Sequence, residues 1–232
     1  MSSSDAREGG RASAAEILGN VAAVYAGAAT YADAGEVRTT FFGTDGPRTT
    51  VRRFATALDR LTGRFRFEFR ERCWDDGPEQ RYVVWRGRAT VQTWWDVRPG
   101  VREEGSLGLA LAGATGVSGG SAHTVPALLM PDEVGGRSLA ELVGSAERLA
   151  DATIDGISCY CIAGVIPMPD GEGGRISVFV DQRTLLVRQI VDRGRLREAG
   201  VEVESLTTYD AGIDVVVPDD AFEFAMPPGC DA

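Results

Sequence analysis

The most constraining stretch of the 232-residue chain is Arg64–Arg70, which reads Arg-Phe-Arg-Phe-Glu-Phe-Arg. Successive side chains of a strand point to opposite faces. Phe65, Phe67 and Phe69 therefore share one face, and Arg64, Arg66, Glu68 and Arg70 share the other. A helix, with its period of 3.6, would scatter the three rings around its axis. A strand with one apolar and one charged face belongs to an antiparallel sheet that is buried on one side and wet on the other.

The same period of two recurs along much of the chain. Val37, Thr39 and Phe41 alternate with Arg38 and Thr40, and Thr50–Leu58, Tyr82–Arg86 and Ala89–Val97 read as further strands. Trp94 and Trp95 are adjacent, so they face opposite ways: one belongs in the core, the other on the solvent face or against a cavity. After the middle of the chain come Arg148–Ile154 and Ile157–Ile166, joined by Asp155-Gly156, a strong hairpin signal. Arg175–Val180, Thr184–Asp192, Val201–Tyr209 and Ile213–Val217 follow, and Phe222 and Phe224 alternate around Glu223 as a last strand after a short helical turn at Pro218. The count is about eleven strands.

Helical periodicity appears in two places. Ile17, Val21, Val24, Ala28 and Tyr31 recur at three- and four-residue spacing, which predicts a helix over Ser13–Tyr31. Ser13 and Glu16 form a capping-box pattern at its start. Ser106–Thr115 and Ser121–Met130 are short, apolar segments, each opening with a serine suited to an N-cap. Pro126 predicts a kink in the second, and Leu139–Val143 predicts a third short helix. Residues 1–12 read as a disordered leader and residues 13–232 as a single domain. The expected fold is α+β and mainly β. It is a curved antiparallel sheet forming an incomplete half-barrel, with an N-terminal helix and a mid-chain helical insertion over the concave face.

Composition narrows the function. The chain carries 24 basic and 34 acidic residues, for a net charge of −10. All of the basic residues are arginines, and His123 is the single histidine. The absence of lysine excludes a P-loop NTPase, a Schiff-base enzyme and a protein kinase. A poly-histidine metal site is excluded as well, and the acidic balance argues against nucleic acid as a partner. The chain holds 29 glycines, more than the roughly 7% of ordinary usage, as expected of a sheet bent by turns and bulges. No stretch reaches the ~18 apolar residues of a membrane span. The N-terminus, Met-Ser-Ser-Ser-Asp-Ala, has no apolar h-region, so the sequence as it stands predicts no signal peptide. Cys159 and Cys161 flank Tyr160 and share a face. With Cys73 and Cys230 they leave free thiols, disulfides and a weak metal reading open.

The order of elements resembles the LolA/LolB-like superfamily of periplasmic lipoprotein carriers, and especially its lipoprotein-sorting-like branch. Four features carry the resemblance. They are the helix with Tyr25 and Tyr31 before Asp33-Ala34-Gly35-Glu36-Val37; the Gly63-Arg64-Phe65-Arg66-Phe67-Glu68 strand; Val125-Pro126-Ala127-Leu128-Leu129-Met130-Pro131; and Val217-Pro218-Asp219-Asp220-Ala221-Phe222 with Pro227-Pro228-Gly229. The resemblance implies a half-barrel whose concave, hydrophobic face is covered by helices around a cavity for acyl chains. It also implies a place in the periplasm or cell envelope. The cytoplasm is the other compartment the sequence leaves open.

On this reading the protein is a non-catalytic binder of a lipid, an acylated protein or another hydrophobic small molecule, with no cofactor and no metal. The candidate cavity residues are Phe65, Phe67, Phe69, Trp85, Trp94, Trp95, Leu128, Leu129 and Met130. An envelope protein partner, bound by the sheet or its edge as in envelope-stress sensors of the same fold, is the alternative. A hydrolase using His123 as general base is the second alternative, without a Gly-x-Ser-x-Gly nucleophile motif to support it. Asp75-Asp76 before Gly77-Pro78 reads as turn chemistry, and Asp219-Asp220 as helix-start charge. Gly171-Glu172-Gly173-Gly174 reads as a hairpin loop.

Overall fold

The computed structural model describes residues 11–72, 79–87, 90–166, 174–196 and 200–227. A first helix, α1 (Ala14–Gly27), leads into six strands: β1 (Thr30–Gly43), β2 (Gly46–Asp59), β3 (Arg64–Arg72), β4 (Glu79–Arg86), β5 (Val91–Trp95) and β6 (Arg98–Glu104). Three helices follow, α2 (Leu107–Thr115), α3 (Ser121–Leu129) and α4 (Leu139–Leu142). Six more strands complete the fold: β7 (Gly144–Arg148), β8 (Ala152–Ile154), β9 (Ile157–Val165), β10 (Arg175–Asp181), β11 (Val187–Leu196) and β12 (Val201–Ile213).

The strands form one antiparallel sheet in the order β6-β5-β4-β3-β2-β1-β12-β11-β10-β9-β7, with β8 also paired to β9. The sheet is not closed into a barrel. Two meanders, one from each half of the chain, meet where β1 pairs with β12, from Tyr31 opposite Ile213 to Phe42 opposite Glu202. The mid-chain helices carry the chain from β6 at one edge to β7 at the other.

The alternation of β3 is realised in full. Phe65 and Phe67 are completely buried and Phe69 nearly so, under a layer made by α1, α2 and α3. Ile17, Val21, Leu111, Val125 and Leu129 bring helical side chains into the same core as Val37, Leu58, Val84, Val178 and Ile190 of the sheet. Arg60 ties the layers together. Its Nε donates to the Ala28 carbonyl (2.7 Å) and its Nη2 to the Leu129 carbonyl (2.8 Å), so one guanidinium satisfies the C-terminal ends of α1 and α3.

Several sequence boundaries move, each for a local reason. The capping box of α1 forms as expected, with Ser13 and Glu16 each accepting the other's backbone N–H. The helix stops at Gly27, however, and Tyr31 belongs to β1. Tyr31 stands three residues after Ala28, which imitates a helical spacing in the sequence, and its ring meets that of Tyr25 at 5.7 Å across this corner. Gly120, in a left-handed conformation (φ 87°), caps α3 in place of Ser121. The Ser118 hydroxyl then accepts the Ala122 N–H at 3.1 Å. Pro126 lies inside α3 without ending it.

The sheet holds twelve strands where about eleven were expected. Residues 201–213 form one strand, because the turn falls at Asp214 (φ 54°) and not at Asp210-Ala211-Gly212. Asp155 and Gly156, both with positive φ, make the expected tight hairpin turn. Phe222 and Phe224 are not in a strand: a 3₁₀ turn over Asp219–Phe222 is followed by irregular backbone. Cys159 and Cys161 are buried free thiols, and burial pushes both thiol pKa values up. Cys73, Cys230, Asp75-Asp76 with Gly77-Pro78, Gly171–Gly173 and Pro228-Gly229 lie outside the described residues. Among the described residues no helix is long and apolar enough to cross a membrane.

One glycine is fixed by packing. A Cβ on Gly35, in the middle of β1, would lie 2.2 Å from Phe54 Cζ and 2.4 Å from the Thr208 carbonyl oxygen. The Phe54 ring covers this gap and meets Tyr209 edge-on at 5.4 Å. Because the second obstacle is backbone, rotamer changes alone cannot relieve it. Gly35→Ala is expected to cost about 1–3 kcal/mol or more, as overpacked cores do, read as a lower urea midpoint with an unchanged slope.

Candidate functional site

The inner face of the sheet opens beside α2. Tyr82 of β4, Thr93 and Trp95 of β5 and Leu109, Ala110 and Gly113 of α2 line a cleft of about 410 Å³, a volume in the range of small-molecule sites. The local sequence explains the opening. β5 and β6 shift register between Thr93 and Trp95, an irregularity at the edge of the sheet facing α2. The Gly- and Ala-rich sequence of α2 leaves space where larger side chains would close it. The Cβ position of Gly113 is only 3.6 Å from the Tyr82 hydroxyl, so any side chain there points into the cleft.

Arg98, Arg102 and Glu104 form its polar rim. The Arg98 guanidinium lies over the Trp95 ring at 5.4 Å. Thr93 donates to Glu104 at 3.2 Å, and the rim carries two guanidiniums and this one carboxylate. Leu109 is 60% exposed at the same mouth, an unusual setting for a leucine. The Trp95 indole Nε1 is buried with no hydrogen-bond partner among the described residues, a condition that costs on the order of 1–3 kcal/mol.

The residues singled out by sequence divide between two faces. Phe65, Phe67, Phe69, Leu128, Leu129 and Met130 are all buried in the core between sheet and helices. Trp95 packs against that core and lines the cleft. Trp85 and Trp94 are on the opposite face, where the Phe224 ring rests between them at 4.7 and 5.2 Å. Trp94 is nevertheless 2% exposed, because the C-terminal segment covers it. The expectation that Trp94 and Trp95 point opposite ways holds. The tryptophan on the outer face is covered by chain that the sequence assigned to a strand.

The arginine face of β3 is organised around one carboxylate. Glu68 is buried on the outer face and accepts from Arg70 Nε (2.6 Å), from Arg81 Nε and Nη2 (2.8 and 2.9 Å) and from Arg66. Burial pushes the Glu68 carboxyl up, but the bonds from Arg81 and Arg70 and the charges of Arg81 and Arg66 outweigh it and hold it below its ordinary value. His123 is engaged with backbone: its Nε2 donates to the Gly135 carbonyl at 3.0 Å.

A polar cluster inside the core went unnoticed in the sequence. Asp33 of β1 points inward, is 7% exposed and has no ion-pair partner among the described residues. It accepts the Tyr31 hydroxyl and the Thr56 backbone N–H, both at 2.7 Å. The Tyr25 hydroxyl accepts the Val187 N–H at 3.1 Å, and the buried Tyr209 phenol completes the group. The available signal was the series Tyr31, Asp33, Gly35, Val37, in which a carboxylate stands on the inward side of a strand.

No family model and no curated relative matches the chain. Among solved structures it is similar to MucB, with a TM-score of 0.48 and 13% identity over 91% of this chain and 62% of that one. A MucA/MucB complex from Pseudomonas aeruginosa gives 0.48 and 14% over 91% and 61%. A LolA superfamily protein from Nitrosomonas europaea gives 0.36 and 12% over 92% and 99%. The chain spans about three fifths of the length of the MucB structures it matches. These likenesses concern the fold, and function is read from the chain's own residues.

Burial pushes the Asp33 carboxyl up to about 6, against the hydrogen bonds from Tyr31 and Thr56. The unfolded chain titrates near pH 4. Between these values the folded form binds more protons than the unfolded one, so this group's stabilisation is complete below about pH 4 and is lost as pH rises through about 6. Asp33→Asn is expected to remove that slope, a difference of about 2–3 kcal/mol between pH 4 and pH 7, measured by urea unfolding of both proteins at each pH.

Proposed function

We propose that the chain is a non-catalytic binding protein of the cell envelope that holds the apolar part of an acidic amphiphile, such as an acyl chain with a carboxylate or phosphate head. The observation that carries this reading is the cleft beside α2, with Tyr82, Trp95, Leu109 and Ala110 on its walls and Arg98 and Arg102 at its rim. An apolar slot gives affinity without direction, and two guanidiniums at one end supply the direction. α2 forms the removable wall of the cleft: its Leu109 side is exposed and its Leu107, Ala110 and Leu111 side is buried. Phe65, Phe67 and Phe69 form the floor on which the helix layer rests, and Leu128, Leu129 and Met130 of that layer pack into the same core. Residues 13–232 act as one unit in this reading.

The envelope assignment rests on the resemblance in element order. A non-catalytic role is supported by the engagement of His123 with the Gly135 carbonyl.

The test uses a dansylated fatty acid titrated into the full chain, with energy transfer from tryptophan as the readout and organic extraction of the purified protein in parallel. Saturable binding is expected. Gly113→Trp, which fills the cleft, is expected to weaken it at least about tenfold, or ~1.4 kcal/mol. Arg98→Glu combined with Arg102→Glu is expected to weaken a fatty acid more than the corresponding fatty alcohol. A folded protein that shows no saturable binding and yields no extracted lipid would defeat the carrier reading.

A further inference from the structure

The outer face of β3, β4 and β5 carries a second binding surface, and it shares no residue with the cleft. Val83, Trp85 and Trp94 form an apolar patch there. Val83 and Trp94 are 0% and 2% exposed although they lie on the side away from the helices. Three guanidiniums border the patch: Arg64, Arg66 and Arg81.

The patch is covered by residues 217–227 of the same chain, and the manner of covering is informative. Arg64 pairs with Asp219 at 2.8 Å and stacks on Phe222 at 4.4 Å. Arg66 donates to the Ala221 carbonyl at 3.3 Å. Phe224 inserts between Trp85 and Trp94 and lies 5.4 Å from the Arg81 guanidinium. Among the described residues, the backbone–backbone hydrogen bonds of this segment stay within its own turn: Ala221 N–H to Pro218 and Glu223 N–H to Asp220. The strap is therefore held to the sheet without a backbone ladder, by two rings, one acidic residue and the Arg66 bond to the Ala221 carbonyl, while Asp220 and Glu223 stay exposed.

A strand joined by a ladder of backbone bonds leaves a sheet only with that ladder broken. A strap held by two rings leaves when the same rings arrive from elsewhere. The geometry points to this groove as a peptide-docking surface whose occupant is an acidic segment of a partner protein carrying two phenylalanines at i and i+2, with residues 217–227 as the competitor in cis. Charge complementarity selects that partner: Arg64 pairs with Asp219, the Arg66 and Arg81 guanidiniums that also hold Glu68 border the groove, and the occupant seen there carries Asp220 and Glu223 beside Phe222 and Phe224. Alternate side chains supply the specificity, as in other modes of extended-peptide recognition.

The test uses the full chain with Phe222→Ser and Phe224→Ser together, which empties the groove and leaves the sheet intact. The probe is a fluorescent synthetic peptide of residues 217–227, followed by anisotropy. The double variant is expected to bind it at least tenfold more tightly than the unaltered chain, whose groove is occupied. A peptide with both phenylalanines changed to serine, or with its three acidic residues changed to amides, is expected to bind at least tenfold more weakly. A folded double variant that ignores the peptide overturns the proposal.

A variant that fails to fold overturns it too, since the strap is then part of the fold. Hydrogen exchange on the unaltered chain gives an independent reading. Faster exchange of amides 219–224 than of those in β3 and β4 supports displacement, and equal protection refutes it. Exchange of straps between two copies, seen as a dimer by light scattering that Phe224→Ser abolishes, assigns the groove to a second copy and also refutes the partner reading.

Discussion

Everything in this fold hangs on the pairing of β1 with β12. Apart from β7, which pairs with β9 across β8, every other strand pair joins neighbours in the chain, whereas Tyr31 opposite Ile213 and Phe42 opposite Glu202 bring together segments from the two ends of the sequence. That one seam turns two separate meanders into a single sheet wide enough to curve around a helix layer. The densest packing sits beside it. Gly35 lies opposite both Phe54 and Tyr209, with no room for a methyl group. Asp33 lies one pair further along the same face of β1, opposite Thr56 and Ala211. A carboxylate buried near one end of the seam, with no cation beside it among the described residues, works against the stability that the surrounding aromatic packing provides. Such a group persists only where its neighbours overdetermine its position, as the Tyr31 hydroxyl and the Thr56 amide do here.

The two faces of the sheet follow different physical rules. The inner face is largely apolar, and the cleft beside α2 lies where β5 and β6 shift register opposite a helix of small residues. The outer face is arginine-rich. There Glu68 gathers Arg66, Arg70 and Arg81, and cations stacked on rings do the work that aliphatic contacts do inside. The absence of lysine has a structural sense in this setting. Guanidiniums bond a carboxylate side-on and lie over the rings of Phe222 and Phe224 at 4.4 and 5.4 Å, and an ammonium group offers no planar fork for the first of these.

Much of this was legible from alternation alone. The Phe65, Phe67, Phe69 series gave its face correctly because period two leaves no freedom once the strand exists. The Asp155-Gly156 hairpin and the Ser13/Glu16 cap were legible because turns and caps are local chemistry. What escaped was long-range. Tyr31 joins the helix pattern because it follows Ala28 by three residues, a helical spacing, although the chain has already turned extended at Ala28. Trp85 and Trp94 were grouped with the phenylalanines as one candidate cavity. Nothing in their own strands reveals that Phe224, 130 positions further along than Trp94, lies between them. The cleft was invisible for a similar reason: it is a gap, made by what Gly113 and its small neighbours do not fill.

The seam between β1 and β12 also sets an order of events during folding. β1, β2 and β3 can zip together as soon as they exist, since their turns are short. The second edge of β1 must wait for residues 202–213, which come last among the strands. Until then a fourteen-residue strand shows a row of unpaired amides beside exposed aromatic side chains. Topologies of this sort form slowly, because the loop must close before its contacts reward it. They leave an open template for association with other chains while they wait. The acidic excess of the chain keeps such half-built molecules apart by charge until their own last strand arrives.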